Sequence, residues 1–123
     1  MNFHLSGFVE VPSPPVMIVT MEERHVYMCN HSQADRIFWR VNDGVLGSEV
    51  DPPNVATEPI SLPGGGRVYT LTIGGLPEHN ETSIQCSAAF DDESIPEQVT
   101  PKVTFLIQGQ LYFAHLYIAA YSS

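Results

Sequence analysis

The stretch His25–Val41 reads HVYMCNHSQADRIFWRV and contains two short apolar runs around a polar loop. Both runs are rich in the aromatic and β-branched residues that strands favour. Because side chains alternate along a strand, Cys29 and the single tryptophan, Trp39, fall on inward faces of two successive strands. Cys86, in the alternating run Thr82–Phe90, falls on an inward face as well. The two cysteines therefore either bridge two strands across a core or remain buried thiols.

Short strands bounded by turn residues continue on both sides of this stretch. The clearest is RVYTLTI, Arg67–Ile73, in which Leu71 and Ile73 share one face. Further strands are predicted within Val9–Val19, where prolines break the run, and at Val45–Val50 and Val103–Gln108. Nine glycines and ten prolines punctuate the chain too often for long helices. The pattern predicts an all-β fold, a two-sheet antiparallel sandwich of about seven to nine strands.

The chain has 123 residues, which is enough for one ordinary domain. The strand pattern occupies residues 9–108 and leaves residues 1–8 as an N-terminal extension. Residues 109–123 show neither strand alternation nor flanking turn residues, so we expect this C-terminal tail to lie outside the core. Polar residues interrupt its apolar run, so we expect no direct membrane insertion of this segment.

Charge and motifs exclude several classes of function. Five basic residues against fourteen acidic ones give a net charge of −9, too little positive charge for a nucleic-acid backbone or an anionic membrane surface. We therefore expect no nucleic-acid partner. The chain has no nucleophile elbow, no zinc-protease motif and no phosphate-binding glycine loop before a helix. We expect a protein that is not an enzyme and that has no catalytic residues, no cofactor and no metal site.

Cys29, Trp39, the segment TLTIGGL with Leu71 and Ile73, and the approach NETSIQC to Cys86 resemble the immunoglobulin domain family. The resemblance covers residues 9–108 and implies an immunoglobulin-like sandwich of the variable-like or intermediate type. It also implies that a disulfide joins the two cysteines and that Trp39, Leu71 and Ile73 fill the core. The approach departs from the family pattern in having no tyrosine two residues before the second cysteine.

The resemblance implies a non-catalytic recognition module of an adhesion protein or receptor, which contacts a cell-surface ligand or a homophilic protein partner. We therefore expect an extracellular or cell-surface location, as part of a longer or processed chain, because residues 1–10 contain no secretory signal core. Two alternatives remain open. One is a cytoplasmic structural spacer with the same fold and reduced thiols, and the other is a carbohydrate-binding β-sandwich.

Two Asn-x-Ser/Thr sequons are candidate glycosylation sites, at Asn30 and Asn80. Asn30 should point outward because its neighbour Cys29 points inward. Asn80 should lie at an exposed corner between two strands. Both asparagines are therefore predicted to accept glycans.

A candidate partner-binding face follows from the same alternation. If Trp39 and Cys86 point inward, then five residues of their sheet should point outward: Phe38, Arg40, Gln85, Ser87 and Leu106. Aromatic and arginine side chains are enriched at binding hot spots, which favours this face for protein contact. The opposite sheet is the competing candidate, because Val26 and Met28 should face outward there.

Overall fold

The computed structural model describes residues 7–47 and 54–108. These residues form ten strands and one short 3-10 turn, Pro77–His79. The strands are β1 Phe8–Glu10, β2 Val16–Val19, β3 Arg24–His31, β4 Arg36–Val41, β5 Gly44–Val45, β6 Val55–Ser61, β7 Arg67–Gly74, β8 Thr82–Ala89, β9 Gln98–Val99 and β10 Val103–Ile107.

The strands form two sheets. One has four strands in the order β1-β3-β7-β6, and the other has six, in the order β2-β10-β8-β4-β5 with β9 also paired to β8. All neighbouring pairs are antiparallel except β2 and β10, which are parallel. The predicted all-β sandwich of two sheets is confirmed. It differs from the expected antiparallel arrangement in one pair, β2–β10, which is parallel.

The described residues contain one strand more than the upper limit of the expected count, for two reasons. β6 lies in a region where no strand was expected, and it pairs with β7 from Val55 to Ser61. The last predicted strand is preceded by a short separate piece, β9. Between β9 and β10, the Thr100 hydroxyl accepts a hydrogen bond from the Cys86 amide, and Pro101 has no amide to donate. The ladder is therefore interrupted at this point.

Tight turns connect the strands at the positions that the sequence indicates. Asn42 and Asp43 both have positive φ, 51° and 69°, as the two central residues of a type I′ hairpin turn require. This turn joins β4 to β5, which is only two residues long. The expected strand Val45–Val50 is wrong at Leu46 and Gly47, which form a turn, and its residues 48–50 lie outside the described residues. Gly65 and Gly66, with φ of 83° and 95°, form the turn from β6 to β7.

The core lies between the two sheets. Its fully buried members come from both layers: Tyr27, Cys29, Leu71 and Ile73 from the first sheet, and Ile84, Cys86, Phe105 and Ile107 from the second. Trp39 is 3% exposed and lies opposite Cys86 in the β4–β8 register. Phe8, which was expected to belong to the N-terminal extension, also packs against this core. The tail, 109–123, lies outside the described residues.

A disulfide joins Cys29 of β3 to Cys86 of β8 and therefore links the two sheets. The predicted bridge is confirmed, and the alternative of two buried thiols is wrong. The bridge closes a loop with a sequence separation of 57 residues. In the chain-entropy model, a closed loop of this length stabilises the folded state by about 4 kcal/mol.

Candidate protein-contact surface

The residues proposed for partner contact lie on the outer face of the six-stranded sheet. In the β4–β8 register Phe38 is opposite Ser87 and Arg40 is opposite Gln85, so the four side chains form a two-by-two block on one face. Leu106 lies on β10, on the far side of β8 from β4. We call the surface formed by Phe38, Arg40, Gln85, Ser87 and Leu106 the Arg40 face.

Arg40 is the most constrained side chain of this face. Its Nε donates to the Ser87 hydroxyl at 3.1 Å, and one terminal nitrogen donates to both carboxylate oxygens of Glu97, at 3.2 and 3.1 Å. Its guanidinium carbon lies 5.3 Å from the centroid of the Phe38 ring, which is a cation–π distance. The side chain still has 27% of its surface exposed. Arg40 is therefore held in one position and remains accessible.

Two residues of the Arg40 face differ from what alternation suggests. Ser87 lies on the outer face but is fully buried, and its hydroxyl accepts a hydrogen bond from Arg40. It therefore positions Arg40 and does not itself reach the surface. Gln85 is half-buried, and its amide nitrogen donates to the Thr100 carbonyl at 2.7 Å. This bond links β8 to Thr100, which lies between β9 and β10.

The basic residues of this sheet are paired with carboxylates. Besides the Arg40–Glu97 pair, Lys102 lies 2.7 Å from Asp43, and Arg36 lies 3.8 Å from Asp91. Exposed pairs of this kind contribute little to stability. They do reduce the local net charge of the sheet. The Arg40 face is therefore better suited to partners that bind by apolar contact and shape than to highly charged ones.

An apolar edge adjoins the Arg40 face, and sequence reasoning did not identify it. Val16 and Ile18 of β2 are 53% and 54% exposed, and Ile18 is paired with Leu106 of β10. Alternation within VMIV could have placed these two side chains on one face. Their position beside Leu106 depends on the parallel pairing of β2 with β10, which the sequence pattern does not reveal.

The competing surface lies on the four-stranded sheet. Val26 and Met28 are 44% and 45% exposed there, as alternation predicts. Thr72 and Thr70 lie opposite them on β7. Asn30 is on the same strand, two residues beyond Met28, so it shares that outer face. A glycan on Asn30 would crowd this surface.

The second sequon lies in a more constrained place than expected. Asn80 is half-buried, and its side-chain oxygen accepts a hydrogen bond from the Ile107 amide at 2.9 Å. Thr82, the third residue of the sequon, is buried, and its hydroxyl donates to the His79 carbonyl at 2.6 Å. Asn80 therefore joins the corner before β8 to the end of β10. Glycosylation of Asn30 and Asn80 stays a prediction.

Three buried polar atoms have no hydrogen-bond partner within the described residues: the Tyr27 hydroxyl, Trp39 Nε1 and His79 Nε2. Burial raises the pKa of Tyr27 to about 12, because the phenolate would be poorly solvated. His79 is tied through its other ring nitrogen, Nδ1, which donates to the Gly74 carbonyl at 2.9 Å. Tyr27 and Trp39 are therefore held by apolar packing in the core, and His79 by its bond to Gly74.

Over residues 7–47 and 54–108, no group of three or more His, Cys, Asp or Glu side chains is placed to hold a metal ion. In the same part of the chain, no helix is long and apolar enough to cross a membrane. No protein-family model matches the sequence, and no curated protein matches it either.

Proposed function

We propose that this protein is a non-catalytic, extracellular, immunoglobulin-like recognition module that contacts a protein partner through the Arg40 face. The partner would be a cell-surface ligand or a second copy of the same chain, as in cell adhesion or in a receptor ectodomain. The observation that carries the proposal is the position of Arg40 between Phe38 and Glu97, fixed and still 27% exposed.

The architecture supports an immunoglobulin-like assignment. The inter-sheet disulfide, with Trp39 opposite one of its cysteines, matches the arrangement that the sequence resemblance implies. The bridge also supports an extracellular location, because disulfides persist in oxidising compartments and are rare in the cytosol. The two sequons are consistent with a chain that passes through the secretory route.

Pre-organisation supports the choice of the Arg40 face. When a partner binds a freely rotating arginine, the loss of side-chain conformational entropy weakens the binding free energy by about 0.5–1.5 kcal/mol per side chain. Arg40 is already ordered by Ser87 and Glu97, so much of this cost is met on folding. An aromatic ring beside an ordered guanidinium is the composition found at the centre of many protein interfaces. Val26 and Met28 lie opposite Thr72 and Thr70 in the β3–β7 register, not opposite an ordered guanidinium.

The experiment uses the full chain, secreted from a eukaryotic host as a bivalent fusion and applied to a panel of cell lines. Self-association of the monovalent protein is measured by sedimentation. The test variants are Phe38→Ser, which leaves the Arg40–Glu97 pair intact, and Arg40→Gln, which removes it. The control variant, Val26→Ser with Met28→Ser, changes two side chains on the opposite sheet that are 44% and 45% exposed. Circular dichroism checks that each variant is folded.

Each test variant should weaken the detected interaction at least about fivefold, since hot-spot truncations cost more than 1 kcal/mol. The control variant should keep the wild-type affinity. If the control loses binding and both test variants keep it, the contact surface is the four-stranded sheet and the proposal is wrong. A wild-type protein that neither self-associates nor binds any cell line contradicts the recognition role.

A further inference from the structure

His31 is a buried histidine at the end of the sandwich where the loop after β3 begins. It is 7% exposed and lies between two aromatic rings, Phe8 at 4.8 Å and Phe90 at 5.4 Å between ring centroids, both edge to face. Gly7 packs so closely that a Cβ at its position would lie 2.5 Å from the imidazole. The ring therefore joins the first strand, the loop after β3 and the end of β8.

The hydrogen bonds of His31 fix its tautomer. The backbone amides of Gln33 and Ala34 both point at Nδ1, at 3.0 and 3.1 Å. A backbone amide can only donate, so Nδ1 must carry a lone pair and no proton. Nε2 then carries the proton and donates to the side-chain oxygen of Gln98 at 2.8 Å. His31 is therefore neutral in this arrangement, with both ring nitrogens engaged.

A proton added to Nδ1 would disrupt this arrangement. The new N–H would face two other N–H donors, so both backbone hydrogen bonds would be lost while the ring gains a charge in a buried position. The ring or the backbone turn at Gln33 and Ala34 would have to move. The bond from Nε2 to Gln98 is compatible with either protonation state, so it does not resist this change.

No charged group in the described residues compensates the imidazolium. The charged residues on the elements around His31 are Glu10, Asp35, Arg36, Arg67, Asp91 and Glu97, and none of them forms a hydrogen bond or ion pair with the ring. Asp91 lies 3.8 Å from Arg36, and Glu97 binds Arg40. Asp35 accepts a hydrogen bond from the Asp91 amide at 2.8 Å.

We propose that His31 is an acid-sensitive latch for the loop that connects β3 to β4. At neutral pH the unprotonated Nδ1 holds residues 33 and 34 against the end of β3. Because a proton on Nδ1 is incompatible with both bonds, His31 can take up a proton from solvent only when the loop opens, so acidification favours the open loop. Two flanking bonds, from the Ser32 amide to the Gly7 carbonyl and from the Asp35 amide to the Ala89 carbonyl, limit the movement to the residues between them. Any partner held at this end of the sandwich would bind differently after acidification.

The test measures amide hydrogen exchange of the full-length chain by NMR at pH 7.4 and pH 5.0, corrected for the intrinsic rates. The amides of Gln33 and Ala34 should lose protection by about tenfold or more at pH 5.0, while amides of the core strand β7 should not. In the variant His31→Asn, the side-chain oxygen can accept the same bonds but cannot take up a proton, so the acid response should disappear. The variant His79→Asn removes the other imidazole that is buried within residues 7–47 and 54–108, and it should keep the response.

Two results would overturn the latch. One is equal protection of Gln33 and Ala34 at both pH values in the wild-type protein. The other is an unchanged acid response in folded His31→Asn. If that variant does not fold, the ring nitrogen shifts of wild-type His31 decide: at pH 7.4 they must show the tautomer protonated at Nε2, and any other state contradicts the proposal.

Discussion

Replacing Trp39 by alanine should remove a large part of the stability of this domain. Trp39 is only 3% exposed, and an aromatic side chain of this size buries roughly 200 Å². At about 25 cal/mol per Å² the burial contributes roughly 5 kcal/mol, and allowing for surface already hidden in the unfolded chain leaves about 3–4 kcal/mol. This agrees with the ~3–5 kcal/mol measured for large-to-small aromatic changes in cores. Domains of this kind have only about 5–15 kcal/mol in total.

Urea unfolding followed by far-UV circular dichroism, with the disulfide oxidised, measures the loss. The control is Trp39→Phe, which keeps a ring in the core. Since the indole nitrogen has no partner within the described residues, this change forfeits no hydrogen bond and should cost less than about 2 kcal/mol. A Trp39→Ala variant whose unfolding midpoint matches wild type would show that the indole is not in the core, and the assignment of β4 would be wrong.

Three further results are expected. Thiol labelling of the unfolded, unreduced protein from an oxidising host should find no free cysteine, and reduction should lower the free energy of unfolding by about 4 kcal/mol; two labelled cysteines would instead favour the cytoplasmic spacer. Because burial raises the pKa of Tyr27 to about 12, the neutral phenol stabilises the folded state up to about pH 10, and this contribution is lost as pH rises towards 12. Tyr27→Phe should unfold like wild type at pH 7 and lose less stability between pH 10 and 12; equal losses would contradict the assignment. Truncation after Gly109 should leave the calorimetric transition nearly unchanged, because the described core closes with Ile107 of β10, and a large drop would place part of residues 109–123 against the sandwich.

Local alternation was sufficient to predict the core-facing strands. β3, β4, β7 and β8 each contain apolar residues at every second position, and each faces the core with those residues. β6 could not be predicted in this way. Six of its seven residues are exposed, and Pro59 lies within it, so its sequence has no alternation of buried and exposed residues. It is a strand because it pairs with β7.

The sequence predicted on which face of the sheet the side chains of the Arg40 face lie, but it did not predict how deeply each of them is buried. Alternation correctly turned Ser87 outward, but its burial depends on Arg40 reaching across from the neighbouring strand. The environment of His31 was not predictable at all. Its partner Gln98 is 67 residues away in the sequence, and the second ring against it, Phe90, follows a different strand. Such long-range contacts leave no periodic signal in one sequence.

The disulfide also limits how far the domain can be stretched. When tension is applied to its two ends, the chain before Cys29 and after Cys86 can be extended. The segment between the two cysteines is not extended, because the disulfide carries the force past it. That segment spans 57 positions, which at about 3.5 Å per residue corresponds to ~200 Å of contour length that stretching does not release while the disulfide is intact. Within the described residues, such a load first meets the short β1–β3 pair at the amino-terminal side and then the parallel β2–β10 pair. Because these strands lead to opposite ends of the chain, their hydrogen bonds are sheared together instead of being peeled apart one at a time.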